Sequence, residues 1–201
     1  PEFQWDESYV PDRGKVLTAE QLGSIEKFWR YYDHDNDGIP QRTVPGVHPK
    51  GAYFTRGSGH NQYGGYTEDA RDYQIVVDRL RKKWITASHL VPPAVIEQDA
   101  RNDLAIVSLG SCDGAVREAL ARLHAQGVHV NYMRVRGFPF GEEVERFMNA
   151  HRLNFVVEQN RDAQLRALLL LETGVQKGSM CSILHYNGLP ITAGYIVDGV
   201  M

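Results

Sequence analysis

The sequence predicts an α/β protein, an open and mainly parallel sheet with helical crossovers, preceded by a helical and loop-rich extension. Two observations carry this expectation. From residue 103 onward, short apolar runs alternate with amphipathic stretches of helical period in the order β-α-β-α-β-α-β, and runs of this kind belong to strands covered on both faces. Residues 1–102 instead hold two helical patterns on either side of a long stretch without period. The boundary is therefore expected at 102/103, with 1–102 as the extension and 103–201 as the α/β domain.

Taken in order, Thr18 and Gln21 make a capping box for the first helix, whose apolar face runs through Leu22, Ile25, Phe28, Trp29 and Tyr32. Residues 33–66 are rich in Gly, Pro, Asp, His and Tyr and show no period. A loop that long is functional or wraps a partner. A second helix starts near Thr67 and carries Tyr73, Val76, Val77, Leu80, Trp84, Ala87 and Val91 as a stripe. Pro92-Pro93 ends it and opens a linker to about Asn102. Then follow the strand DLAIVSLGS (103–111), the helix GAVREALARLHAQG (114–127) stopped by Gly127, and the strand VHVNYMRVR (128–136). The helix EEVERFMNAH (142–151), the strand LNFVVEQN (153–160), the helix RDAQLRALLLLET (161–173) and the strand SMCSILHY (179–186) complete the alternation.

A net charge of −3 leaves no basic footprint for nucleic acid. The longest apolar run, Ala167 to Leu171, is far short of a membrane span and reads as a buried helix face, and no signal peptide is visible. Cys112 and Cys181, the two cysteines, have neither metal nor disulfide spacing, which suits a reducing cytoplasm. Because the chain begins with Pro1 and stops at Met201 after an apolar stretch, a piece of a longer polypeptide is expected.

YYDHDNDGIPQRT (31–43) opens like a calcium loop: Asp33, Asp35 and Asp37 take positions 1, 3 and 5, and Gly38 takes position 6. Position 12 is Val44 and position 8 is Pro40, and no helix follows, so a calcium sensor is excluded. The three aspartates remain candidate ligands for a weakly held cation, or they shape the loop as Asx-turns. In GSCDG (110–114), at a strand's carboxyl end, Cys112 is a candidate thiolate, but no base is assignable to it and a small buried thiol is the plainer reading. EQNRDAQL (158–165) gathers Glu158, Asn160, Arg161 and Asp162 at the next such end; alternatively Asn160 caps the helix and Asp162 answers its dipole. GAYFTRGSGHNQYGGYTED (51–69), with Arg56 and His60, reads as a packed interface loop.

YYDHDNDGIPQRTVPGVHPKGAYFTRGSGHNQYGGYTED resembles a segment of the alpha subunits of bacterial and archaeal 2-oxoacid:ferredoxin oxidoreductases. RGKVLT (13–18), DRLRKKWITASHLVP (78–92), the GS at 110–111, RVRGFPF (134–140), VVEQNRDAQLR (156–166) and SILHYNGLPITA (182–193) are similar to the same family, in one order from about residue 10 to 197. The text resembles that of the 2-oxoglutarate-using members in particular. The resemblance implies a complex that decarboxylates a 2-oxoacid on thiamine diphosphate with Mg2+, passes two electrons through iron–sulfur clusters to ferredoxin, and hands the acyl group to coenzyme A. It further implies that 1–102 is the tail of a pyrimidine-binding domain plus linker, and that 103–201 is like the C-terminal domain of transketolase.

The family's Y-P-I-T-P-S stretch is absent, the diphosphate–magnesium motif belongs to the beta subunit, and two cysteines cannot hold a four-cysteine cluster. No catalytic residue is carried over. Arg56, His60, Glu158, Asn160 and Arg161 are candidate interface residues. The expected partners are the beta subunit, the missing N-terminal part of the alpha chain and, through the complex, ferredoxin, in a homo- or hetero-oligomer without nucleic acid or membrane. The alternative is a stand-alone, non-catalytic module whose loop 33–66 grips a cation or a protein.

Overall fold

The computed structural model describes residues 4–55, 57, 59–98 and 102–201, and it divides into two compact units, Pro1–Thr86 and Ala87–Met201. In the first unit, α1 (Ala19–Ser24) has the capping box read from the sequence, with Thr18 accepting from the Gln21 amide and Gln21 answering. It ends at Ser24 rather than continuing to Tyr32, because Ile25 is extended and the Lys50 ammonium takes the carbonyls of Gly23 and Ile25 at 2.9 and 2.7 Å. The aromatic residues expected on its face serve instead as anchors for the loop that follows. Phe28 meets Tyr53, Trp29 and Tyr32 both meet Tyr63, and Tyr31 stacks on His60. Only Leu17, Leu22 and Phe28 make a buried apolar cluster among the described residues of this unit.

Helix α2 (Ala70–Ser88) begins three residues later than expected and has no buried residue. Its stripe is there but only partly covered, with Tyr73 63%, Leu80 48% and Val77 42% exposed and Val76 and Ala87 half-buried. What α2 does hold is the aspartate loop. Thr86 Oγ1 donates to the Asp37 carbonyl, Arg79 Nη1 donates to the Gly38 carbonyl at 2.9 Å, and Lys82 reaches Asn36. A Cβ on Gly38 would lie 2.2 Å from the Lys83 nitrogen, so only glycine lets the loop approach the helix backbone this closely.

The second unit is a five-stranded sheet in the order β1-β3-β2-β4-β5. β2 (Leu104–Leu109), β3 (Asn131–Val135), β4 (Leu153–Glu158) and β5 (Met180–Leu184) are parallel. The segment read as a linker contributes β1 (Val95–Glu97), antiparallel to β3 and paired through its backbone at the edge. Ile106 lies opposite Tyr132 and Phe155 in the register, which places one continuous layer across the three central strands. The two faces alternate residue by residue, as the period of two requires. Ile106, Tyr132, Phe155, Val157 and Ile183 pack against α3 (Asp113–Ala125) and α6 (Ala193–Val200). Ala105, Val107, Met133, Val156 and Met180 pack against α4 (Glu142–Asn149) and α5 (Gln164–Glu172).

Each fully buried Ile, Val or Leu in these layers contributes about 1.5–3 kcal/mol, and the sheet is covered on both sides. α6 was not anticipated; Thr192 caps it by accepting from the Tyr195 amide. Because α3 leaves β2 on one face and α5 leaves β4 on the other, the neighbouring carboxyl ends of β2 and β4 flank the switch point of the fold, where open sheets of this kind gather ligands. No helix among the described residues is long and apolar enough to cross a membrane.

Candidate functional site

At that switch point a cleft of about 600 Å³ opens between the carboxyl ends of β2, β3 and β4 and the start of α5. Its walls include Leu109 and Gly110 from β2, Arg134, Arg136, Phe138 and Phe140 after β3, and Glu158, Asn160, Gln164 and Leu168. Phe138 and Phe140 meet edge to face at 5.0 Å on either side of a cis Phe138–Pro139 bond.

Glu158 is the structural pivot. Only 1% exposed, it accepts from the Leu165 amide at 2.6 Å, the Arg166 amide at 3.1 Å and Asn160 Nδ2 at 2.8 Å. A strand-end carboxylate thus satisfies the orphan donors of the first turn of α5. Asn160 assists as the sequence suggested, its Oδ1 accepting from the amides of Asp162 and Gln164 at 3.1 and 3.2 Å. The turn closes through Ala163, whose φ of 52° is left-handed, and this is why α5 starts at Gln164 rather than Arg161. Arg161 does not join them; it lies in solvent against Asp162 at 2.8 Å. With its amides occupied internally, this helix start is not open to an outside anion.

Gln159 bridges the switch point itself. Its Nε2 donates to Ser111 Oγ at 3.0 Å and to Cys112 Sγ at 3.7 Å, while its Oε1 accepts from the Ile191 amide at 3.0 Å. Cys112 is 3% exposed, and burial pushes its thiol above the usual range despite the Gln159 hydrogen bond, the opposite of what a nucleophile needs.

A second network, missed in the sequence, adjoins the cleft. Tyr132 Oη donates to Asp113 Oδ1 at 3.0 Å and shares a 2.8 Å bond with Ser108 Oγ. Asp113 Oδ2 takes Arg117 Nε at 3.1 Å, with Arg134 3.6 Å away, and Arg117 also pairs with Glu97 at 2.6 Å. Burial would raise the Asp113 carboxyl, but Arg117, Tyr132 and Arg134 outweigh it and hold it below its usual value. Burial also pushes the Tyr132 phenol well up. The i,i+4 spacing of Asp113 and Arg117 was the one visible signal of this network.

The remaining sequence candidates lie in the first unit. Asp33 accepts from the amides of Asp37 and Gly38 at 3.1 and 2.9 Å, and Asp37 Oδ1 accepts from Ile39 at 2.9 Å. Asp35 and Asp37 close on the Lys15 ammonium at 2.6 and 2.8 Å. The three carboxylates therefore do not converge on a common point, and no group of three or more His, Cys, Asp or Glu among the described residues could hold a metal. His60 stacks on Tyr31 with ring centres 3.9 Å apart. Arg56 lies outside the described residues. The chain's two cysteines are free, one buried and one exposed, and do not fit an iron–sulfur cluster.

No protein-family model matches the chain. It is 32% identical, over 97% of its length, to "2-oxoacid:ferredoxin oxidoreductase 2, subunit alpha" of Aeropyrum pernix, of which it covers 30%. It is 26% identical, over 94% of its length, to "2-oxoacid:ferredoxin oxidoreductase subunit alpha" of Saccharolobus solfataricus, covering 29% of that protein. The fold is similar to that of the 2-oxoglutarate:ferredoxin oxidoreductase from Magnetococcus marinus, solved with 2-oxoglutarate, coenzyme A and succinyl-CoA bound. The TM-score is 0.77 at 24% identity, over 87% of this chain and 30% of that one. The chain is homologous to the alpha subunits of 2-oxoacid:ferredoxin oxidoreductases and corresponds to a C-terminal portion spanning about 30% of their length.

Proposed function

We propose that this chain serves as the scaffold and subunit-contact portion of the alpha subunit of a 2-oxoglutarate:ferredoxin oxidoreductase, working in the cytoplasm with a beta subunit and, through the complex, with ferredoxin. The observation that carries the reading is the 32% identity to an alpha subunit sustained over 97% of the chain. Two features of the chain support its scaffold role. The apolar stripe of α2 is only partly covered, with no residue fully buried, and Phe54 and Leu171 are 82% and 80% exposed, as expected of surfaces that meet other parts of a larger assembly. Polar side chains in and beside the cleft are spent on capping and bracing: Glu158 of its wall on α5 and, next to it, Gln159 on the switch point and Asp113 on Arg117 and Tyr132.

Thiamine diphosphate, Mg2+, coenzyme A and an iron–sulfur cluster belong in this reading to the remainder of the complex. Thiamine diphosphate there supplies the decarboxylation chemistry, and no step of it is assigned to residues described here. The cation-binding alternative is weakened by Lys15, which already holds Asp35 and Asp37.

The test is viologen reduction by the full-length alpha chain with its beta partner, dependent on both 2-oxoglutarate and coenzyme A, against the 201-residue chain alone, which should be inactive. Turnover with other 2-oxoacids but not 2-oxoglutarate would remove the substrate assignment. No turnover with any 2-oxoacid would remove the oxidoreductase reading.

A further inference from the structure

Within the first unit, a cavity of about 400 Å³ is lined by six cationic side chains, Arg13, Lys15, Arg30, Arg42, Arg79 and Lys83, and by no carboxylate. They come from three separate stretches: the segment before α1, the aromatic-rich strip with the aspartate loop, and α2. Six like charges around so small a volume repel one another unless something compensates them.

The chain compensates only some of them. Asp35 and Asp37 pair with Lys15, and Asp33 acts on Arg79 from the adjoining loop. Arg30 donates to the Gln41 carbonyl at 3.5 Å and lies over the Tyr31 ring. Among the described residues, Arg13, Arg30, Arg42 and Lys83 form no ion pair with a carboxylate. Arg79 is the most strained member. Its Nη1 reaches the Gly38 carbonyl at 2.9 Å, but its Nε is buried without a hydrogen-bond partner. Burial, joined by the charge of Arg30 and opposed by Asp33, pushes its guanidinium below the usual range. A buried donor left unmade and a guanidinium facing another are both relieved by one event, the arrival of an anion.

The chemistry of the donors selects the anion. Guanidinium forks match tetrahedral oxyanions bidentately, and several of them around one volume suit a group carrying more charge than a single carboxylate. Tyr31 stacked on His60, with ring planes 20° apart, gives the same cavity an aromatic wall. We propose that this cavity binds a diphosphate group, either as the free ion or as part of a nucleotide. The site is independent of the oxidoreductase reading and stands or falls separately from it.

The test is isothermal titration of the 201-residue chain with inorganic pyrophosphate, with adenosine diphosphate, and with sulfate at matched ionic strength, all without divalent cations. Pyrophosphate is expected to bind at least tenfold more tightly than sulfate. Arg42→Glu combined with Lys83→Glu, both exposed positions, should weaken it at least thirtyfold while leaving the circular dichroism unchanged and the unliganded melting temperature no lower than the parent's, since two like charges are removed. The milder pair Arg42→Gln and Lys83→Gln gives the same reading if charge reversal disturbs folding. Tighter binding of adenosine diphosphate than of pyrophosphate assigns the site to a nucleotide, and equal or weaker binding assigns it to the free ion. The proposal is overturned if pyrophosphate produces neither heat nor a melting shift at millimolar concentration, if sulfate matches it, or if both variant pairs bind it as the parent does. Preference for a polyglutamate peptide over pyrophosphate would also overturn it, in favour of an acidic protein contact.

Discussion

Replacing Glu158 by Gln keeps the shape of the side chain and removes its charge and one of its two acceptor oxygens. In the folded chain those oxygens take three donors, the amides of Leu165 and Arg166 and the Asn160 side chain, in a position only 1% exposed. A hydrogen bond to a charged group contributes about 1.5–3 kcal/mol and a neutral one about 0.5–1.5. Losing at least one bond, weakening the others and removing a negative charge from the start of α5 together cost about 2–3 kcal/mol. For a unit of this size that lowers the melting temperature by roughly 10 °C.

Glu158→Ala adds a void and strands all three donors, so it should cost more, about 4 kcal/mol. Glu142→Gln is the control, since that side chain is 84% exposed and should change stability by less than about 0.5 kcal/mol. Urea unfolding followed by far-UV circular dichroism measures the differences. Amide exchange should show protection lost at Leu165 and Arg166 before the central strands. A Glu158→Gln protein within about 0.5 kcal/mol of the parent would refute the claim that this carboxylate holds the start of α5.

Gly38→Ala should destabilise the first unit by at least about 3 kcal/mol, combining a left-handed φ with a Cβ driven into the Lys83 backbone; protease cleavage within 33–66 should accelerate accordingly. Lys15→Met should leave Asp35 and Asp37 without their counter-ion, so that millimolar calcium raises the melting temperature of the variant and not of the parent. The Asp113 carboxyl is held below its unfolded value, so its contribution is present above about pH 4 and is lost as pH falls through the folded value; Asp113→Asn should flatten that part of the stability–pH curve in urea unfolding. In the folded chain a thiol reagent should modify exposed Cys181 and spare Cys112, which reacts only on unfolding, as counted by intact mass.

The α/β alternation was readable because strands covered on both faces are rich in apolar residues over a short run, and four such runs stood between amphipathic helices. β1 was not, since three residues at a sheet edge pair through the backbone and leave no pattern in the side chains. The overlong first helix has a different cause. Phe28, Trp29 and Tyr32 fit a helical face by spacing, yet their partners are Tyr53 and Tyr63 across a long loop, and local period cannot see contacts that distant.

The same division runs through the candidate site. Asn160 as a capping residue was legible because its partners are within four residues of it. Glu158 was placed in the right segment, but its capping of α5 was not legible, because its carboxylate reaches forward past the whole turn. Tyr132 with Asp113 and Ser108 joins residues from separate elements, which only the sheet register brings together. The aspartate run was ambiguous for a chemical reason: its counter-ion is Lys15, far back in the chain, and carboxylates look alike in sequence whichever cation they serve.

The close approach of Gly38 to α2 is made to the peptide backbone, at Lys82 and Lys83, beside the side-chain bonds from Arg79, Lys82 and Thr86. The backbone part of this contact does not read the helix's sequence. The positions of α2 other than Arg79, Lys82 and Thr86 can drift, acquire charge or adapt to a different neighbour without loosening the loop, provided the helix itself persists. At the backbone contact itself, the intolerance sits at one residue on the loop side. The two partners in this contact therefore have unequal freedom to change, and the glycine of DNDG marks the half that cannot.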